Sequence, residues 1–363
     1  MHIVIITPVR SSSRSGNGTT ALRWARILRE LGHQVRVLNK YDGAPAELMI
    51  ALHAWRSAES IRRFRELFAD RPLIVALSGT DINEYLERDP AATLRSLGYA
   101  DRLVALQELA CRRVPRRFRA KLRVLHQSAP ALQAAPQSVR GFDVAVIGHL
   151  REVKDPMRAA LAARSLPRSS RIRIVHLGAA ETPSWAARAD AEMRRNPRYV
   201  WRGERSRAEV RRLLGRARAM VLSSLSEGGA NVISEAVAAG IPVLASRIDG
   251  SVGLLGRDYP GYFPVRGTSA LARLLHRIET EPPFLARLRH ATERRKRLFR
   301  PEREKAAWRK LIGEITQHVP VRTAQAATRR RAPIEAPEAA ATAPSPRARP
   351  RSRSSPPLGR LRG

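Results

Sequence analysis

Short apolar runs alternate along the chain with longer stretches in which apolar residues recur every three or four positions. Residues 2–7 (HIVIIT), 48–52, 73–77, 103–106 and 219–222 carry almost no polar interruption, the mark of strands buried on both faces of a parallel sheet. Runs at 35–38, 143–147 and 171–177 have the same character with one or two charges, and a further patch lies at 122–125. Between them, 19–31 places Leu22, Ala25, Ile27, Leu28 and Leu31 on one helical face before Gly32 and His33 end it. Helices are likewise predicted over 157–165, from Ser206 with Val210, Leu213 and Leu214 inward, over 269–289, and over 301–315 with Trp308, Leu311 and Ile312 on one face. Alternation of β and α implies an α/β protein built on parallel sheets.

The pattern breaks at 127–141 (QSAPALQAAPQSVRG), which lacks apolar periodicity and reads as a linker between domains 1–126 and 142–300. Residues 301–320 form a separate terminal helical segment. From 321 to 363 the chain has no aromatic residue and ten arginines against two glutamates, with Pro, Ser and Ala dominant, so it is expected to be a disordered basic tail.

Ligands of parallel sheets bind beyond the carboxyl ends of the strands, which singles out His53, the turn Ser78-Gly79-Thr80-Asp81, and Gln107 in the first domain. A histidine or aspartate in such a place also serves as a turn cap. In the second domain the stretch SEGGANVISEAVAAGIPVLAS at 226–246 follows a strand, forms a glycine-bearing loop and opens an apolar helix. Small residues there let a ligand reach backbone N–H groups at the positive end of the helix dipole, where an anion fits. Glu227 stands just outside the helix and Glu235 one turn inside it, so two carboxylates flank the same ligand space. Val232, Ile233, Val237 and Ala238 face the sheet, and Gly240 followed by Pro242 ends the helix.

This Glu-x7-Glu arrangement, with its glycine pair and Gly-Ile-Pro-Val exit, resembles the donor-site signature of the retaining glycosyltransferases of family 4. The resemblance implies a GT-B fold, with two Rossmann-like domains facing a cleft and the terminal helix crossing back to the first. It implies that Glu235 holds the ribose hydroxyls of a nucleotide sugar and Glu227 contacts the sugar ring, with Gly228, Gly229, Ala230, Asn231 and Val232 beside hexose and diphosphate. Gly148-His149-Leu150-Arg151-Glu152-Val153-Lys154 resembles the family segment whose basic residues neutralise the diphosphate. Lys154 matches; His149 stands where an arginine is usual, and Arg151 supplies a guanidinium two residues later. A solvated loop lysine is the plain alternative for Lys154. The loop after the first strand, Ser15-Gly16-Asn17-Gly18, lies under the diphosphate in that family, which makes Gly16 a donor-side candidate. Ser78 replaces a common family histidine, and Asp81 remains an acceptor-side candidate.

With 363 residues and 43% hydrophobic content, two domain cores are attainable, and no apolar run approaches the roughly 18 residues of a membrane span. Residues 1–6 are too short for a signal peptide and read as the first strand. One cysteine, Cys111, excludes an internal disulfide and suits a reducing compartment, so a cytoplasmic location is expected. The net charge of +35 raises nucleic acid as a partner, but only six of the 67 basic residues are lysine, the arginines are spread through the helices, and no nucleic-acid-binding motif occurs. No Asp-x-Asp pair occurs either, so metal-independent transfer with no cofactor is expected, Lys154, Arg151 and the helix terminus stabilising the departing diphosphate.

The segments TALRWARILRELGH, IALHAWRSAESIRRF, LIVALSGTDI, GHLREVKDP and SEGGANVISEA together resemble the selenosugar synthases of selenoneine biosynthesis, over about residues 1 to 320. That resemblance implies transfer from a UDP-sugar, such as UDP-N-acetylglucosamine, to selenophosphate. Arg14, with Arg10 and the Ser78 turn, is then expected to bind the anionic acceptor. Three alternatives stay open: a conventional glycosyltransferase with a hydroxyl acceptor, a nucleotide-sugar 2-epimerase, and a basic nucleic-acid-binding protein.

Overall fold

In the computed structural model of the chain, residues 1–8, 16–132 and 141–317 are described. The apolar runs form two six-stranded sheets in which every pairing is parallel. In the first, β1 (His2–Ile6) lies between β2 (Gln34–Leu38) and β3 (Leu48–Leu52), and β4 (Leu73–Ala76), β5 (Arg102–Ala105) and β6 (Leu122–Val124) follow outward. In the second, β7 (Phe142–Ile147) is central, with β8 (Ile172–Leu177) and β9 (Tyr199–Trp201) to one side. On the other side lie β10 (Ala219–Leu222), β11 (Val243–Ser246) and β12 (Tyr262–Phe263).

Helices cover both faces of each sheet. The first domain contains α1 (Gly16–Glu30), α2 (Ala58–Leu67), α3 (Leu86–Arg88) and α4 (Pro90–Tyr99). The second contains α5 (Arg158–Arg164), α6 (Pro183–Arg195), α7 (Arg207–Arg216), α8 (Asn231–Ala238), α9 (Asp249–Leu255), α10 (Thr268–Thr280) and α11 (Pro282–Lys296). The helix from Ser206 is opened by a full capping box in which Ser206 and Glu209 satisfy each other's backbone N–H groups. The last helix, α12 (Pro301–Gln317), turns its apolar face to the first domain, and Trp308 meets Trp24 edge to face at 4.8 Å between ring centroids.

Three expectations change. Helix α1 starts at Gly16, a turn earlier than the apolar pattern shows, and the Thr20 hydroxyl donates to the Gly16 carbonyl within that extra turn. The single helix expected over 269–289 is two, because Pro282 forces Glu281 out of the helical region and restarts the chain as α11. Helix α6, which buries only Ala189 and Glu192, carries too narrow an apolar stripe to be foreseen.

Residues 127–129, at the start of the expected linker, are buried and held. The Gln127 amide donates to Thr20 Oγ1 at 2.7 Å, and Ser128 donates from its N–H and its hydroxyl to Glu304 Oε2 at 2.8 and 2.5 Å. Residues 133–140 of that linker and the tail from 321 lie outside the described residues.

Candidate active site

The loops that leave the strand ends of the second sheet are tied to one another before they reach the cleft. Beyond β10, the Ser223 hydroxyl donates to the carbonyls of Lys154 and Asp155 at 3.2 and 2.9 Å, and the Leu225 N–H donates to the Val153 carbonyl at 2.8 Å. The β7 and β10 loops are therefore joined by three hydrogen bonds. Asp155 holds a left-handed conformation (φ 44°) that only a few residue types tolerate, and Arg158 grips its carboxylate with two hydrogen bonds of 2.7 and 3.2 Å.

This tie brings Lys154 to Glu227. Their Nζ and Oε1 atoms are 2.5 Å apart, the Ser224 hydroxyl donates to the same oxygen at 2.6 Å, and both charged side chains are largely buried. A paired lysine and glutamate at the cleft can exchange partners: an incoming anion competes for the ammonium and leaves the carboxylate to accept from a polyol.

Underneath the β7 loop, His176 is fully buried. Its Nε2–H donates to the Gly148 carbonyl and its Nδ1 accepts from the Tyr199 hydroxyl, each at 3.0 Å, and burial lowers its pKa to about 4, so the ring is neutral and fixes the loop's origin. His149, on the cleft side, accepts from the Ala179 N–H at 3.1 Å through Nδ1, which leaves Nε2 as a donor. Burial, and then the charge of Arg151, hold its pKa below the usual value. Arg151 is partly buried, and its Nε has no hydrogen-bond partner among the described residues.

Helix α8 begins at Asn231 with Ala230 at the N-cap, and no side chain caps it. Its first N–H groups keep their partial positive charge for a ligand. Glu235 is partly buried one turn in; burial pushes its carboxyl above the usual range, against the opposing pull of Arg207, Arg23 and Arg211. Val232 is partly buried on the same turn.

The glycines next to α8 have a second use. A Cβ on Gly228 would overlap the backbone of Gly79, and one on Gly79 would overlap that of Gly228. Gly229 faces Leu106, Gly250 faces Glu227, and Gly253 faces Gln107 in the same way. The close approach that demands glycine at 228 and 229 is thus the first domain's own strand-end loops. Asn83 and Ser226 add a hydrogen bond of 2.9 Å across this seam.

On the acceptor side, His53 and Asp81 are both buried, with His53 in the left-handed region (φ 73°). Asp81 accepts from the N–H groups of Ala54, Trp55 and Ser78 at 2.9, 3.0 and 2.8 Å and pairs with His53 Nδ1 at 2.7 Å. Burial raises its pKa, but the hydrogen bond from His53 and the backbone donors outweigh burial and keep the carboxyl ionised. Asp81 is therefore a turn cap that holds His53, with no oxygen turned to the cleft, and the acceptor-side expectation for its carboxylate is corrected accordingly. From His53 the network runs outward, His53 Nε2 to Thr80 Oγ1 and Thr80 Oγ1 to Ser78 Oγ, 3.0 Å at each step. Ser78 and Thr80 are partly buried beside Gly79, opposite Glu227 and Gly228. Arg10 and Arg14 lie outside the described residues.

Gly16 meets the donor helix through Asn231, whose amide reaches the Gly16 carbonyl and Thr20 Oγ1 at 3.5 Å each. Arg23, one helical turn beyond Thr20, donates from Nη1 to Asn231 Oδ1 at 3.1 Å. The residues that sequence reasoning passed over are Arg23, Ser224 and Asn83. Arg23 alone left a trace, since it shares the Gly16 and Thr20 face of α1.

Two parallel-sheet Rossmann-like domains, with a basic loop and an uncapped helix terminus at the strand ends of the second, make up a GT-B fold. Residues 134–295 match the model of the family described as Glycosyl transferases group 1, so that segment is a glycosyltransferase domain and the protein is an enzyme of that class. The chain is 24% identical over 320 residues to Glycosyltransferase 1 domain-containing protein 1 of Xenopus tropicalis, covering 79% of this chain and 90% of that protein. Among solved structures it is similar to the sucrose-phosphate synthase of Thermosynechococcus elongatus (TM-score 0.72, 16% identity, 87% of this chain and 99% of that one). It is also similar to the Anabaena HepE protein in complex with UDP (TM-score 0.69, 14% identity, 86% of this chain and 100% of that one). Among the described residues no helix is long and apolar enough to cross a membrane.

Proposed function

We propose that the enzyme transfers a sugar from a UDP-sugar to a small anionic acceptor, with selenophosphate as the acceptor and N-acetylglucosamine among the candidate sugars. The observation that carries the reading is the Lys154–Glu227 pair at 2.5 Å beside the uncapped start of α8. A diphosphate entering there finds an ammonium, the Arg151 guanidinium and helix N–H groups, the donors that stabilise charge as it develops on a leaving UDP. Glu227, released from Lys154, accepts from sugar hydroxyls, and Glu235 accepts from the ribose pair. The bond from the anomeric carbon to the β-phosphate oxygen breaks with its electrons leaving on UDP, and a bond from that carbon to selenium forms on the same face. No metal and no strong protein base is required in this scheme. The UDP complex of the HepE neighbour supports a uridine nucleotide as donor.

A small acceptor is supported by the seam, where Ser78 and Gly79 of the first domain lie against the backbone of Glu227 and Gly228. The resemblance to selenosugar synthases over residues 1 to 320 supports selenium as the attacking atom. The test is anaerobic incubation with a panel of UDP-sugars, with and without selenophosphate, followed by mass spectrometry. A sugar bearing the selenium isotope pattern, formed together with UDP, supports the proposal. A glycosylated hydroxyl acceptor with no selenium product would assign the conventional reaction, and an epimerised sugar with no acceptor would assign the epimerase.

A further inference from the structure

Gly16, Thr20 and Arg23 lie at i, i+4 and i+7 of α1, a single stripe of that helix, and this stripe faces the first turn of α8 through Asn231. Arg23 is the only one of the three that brings charge. Its side chain is 9% exposed, and its guanidinium is held on two sides: Nε lies 3.2 Å from Glu304 Oε2, and Nη1 donates to Asn231 Oδ1 at 3.1 Å. The third nitrogen, Nη2, is buried and has no hydrogen-bond partner among the described residues. Glu304 does not make up the deficit, because Trp24 Nε1 and Ser128 also draw on its oxygens, at 2.8 Å for the indole and 2.8 Å for the Ser128 N–H. A guanidinium stays charged under all conditions, and a buried charged N–H without an acceptor is costly enough that native structures rarely keep one.

The orphan donor lies beside the helix terminus that no side chain caps, with Nη1 of the same guanidinium on Asn231, so two independent features of the same spot suit an anion. We propose that Arg23 Nη2 binds a phosphate oxygen of the donor, making Arg23 a first-domain ligand of the diphosphate opposite Lys154. The inference rests on the nucleotide-sugar reading above. It adds a consequence: the donor's diphosphate is held by both domains at once, by Arg23 from α1 and by Lys154 and α8 from the second domain, so donor binding stabilises the closed seam.

The test is calorimetric titration of UDP and of uridine into the full chain and into Arg23→Met and Arg23→Lys. Arg23→Met should weaken UDP about ten- to thirtyfold while uridine changes by less than about twofold, as loss of one charge-assisted phosphate contact implies. Arg23→Lys, which keeps the charge and the tie to Glu304 but not the three-sided fork, should fall between the two and guards against a folding defect in the methionine variant. A purely structural role for Arg23 would lower the melting temperature and leave the UDP-to-uridine ratio where it was, and that result in either variant overturns the inference alone. Wild-type protein that binds no UDP overturns the nucleotide-sugar reading and this inference with it.

Discussion

Lys154 and Glu227 stand 73 positions apart in the chain, yet their charged atoms are 2.5 Å apart at the mouth of the cleft. The contact exists because Ser223 and Leu225 anchor the β7 loop to the β10 loop through its backbone. Replacing Lys154 by methionine should lower turnover about 100- to 1000-fold, the usual loss when one donor to developing oxyanion charge is removed, with a much smaller change in uridine binding. Steady-state kinetics with a UDP-sugar check this. Normal turnover with proportionally weakened uridine binding would make Lys154 a structural residue.

Glu235 should carry a stability cost that its substitution reveals. Burial raises its folded pKa above the ordinary carboxylate value, so ionisation is penalised in the folded state. The penalty is absent below about pH 4.5 and fully present once the pH exceeds the folded pKa. Glu235→Gln should therefore melt roughly 1 to 3 °C above the wild type at pH 7.5 and at the same temperature near pH 4. A lower melting temperature at pH 7.5 would show that Glu235 is favourably paired.

His176 works in the opposite direction. Its folded pKa of about 4 lies below the ordinary 6.5, so neutral His176 favours the folded state above pH 6.5, and that contribution is lost as the pH falls towards 4. The stability difference between wild type and His176→Phe should shrink by about 3 kcal/mol between pH 7.5 and 4. Denaturant titrations across that range measure it, and a pH-independent difference would contradict the buried neutral ring.

Glycines separate function from propensity. Gly98 in α4 and Gly313 in α12 have open space where a Cβ would go, and alanine at each should stabilise by about 0.5 to 1 kcal/mol. At Gly79 or Gly228 the same change meets backbone from the other domain, so Gly79→Ala should slow turnover and shift small-angle scattering towards a more open shape. Full activity in Gly79→Ala would show that the seam does not close during catalysis.

Much of this architecture was legible in the chain. The strands could be read because doubly buried parallel strands are nearly uninterrupted apolar runs, as at Leu48 and Leu73. Helix α8 could be read because its loop, its apolar face and its Gly240 exit (φ 72°) are all local signals. The break between α10 and α11 was written in Pro282 and Pro283 but was masked by continuous helical periodicity on either side. Pairings across the cleft carried no such signal. Nothing near Gly228 announces Gly79, nothing near Arg23 announces Asn231 or Glu304, and Asp81 looks the same in sequence as a cap or as a ligand until its backbone donors are placed.

The proposed reaction requires the start of α8, with Glu235 and Lys154, to be a uridine-diphosphate site. Isothermal calorimetry of UDP with wild-type protein and Glu235→Ala tests it most directly. Measurable binding to the wild type is expected, with a loss of roughly 1.5 to 3 kcal/mol in the variant, about ten- to 150-fold in affinity, because the ribose hydroxyls lose a charged acceptor. No binding to the wild type, or equal affinity in the two proteins, would contradict it.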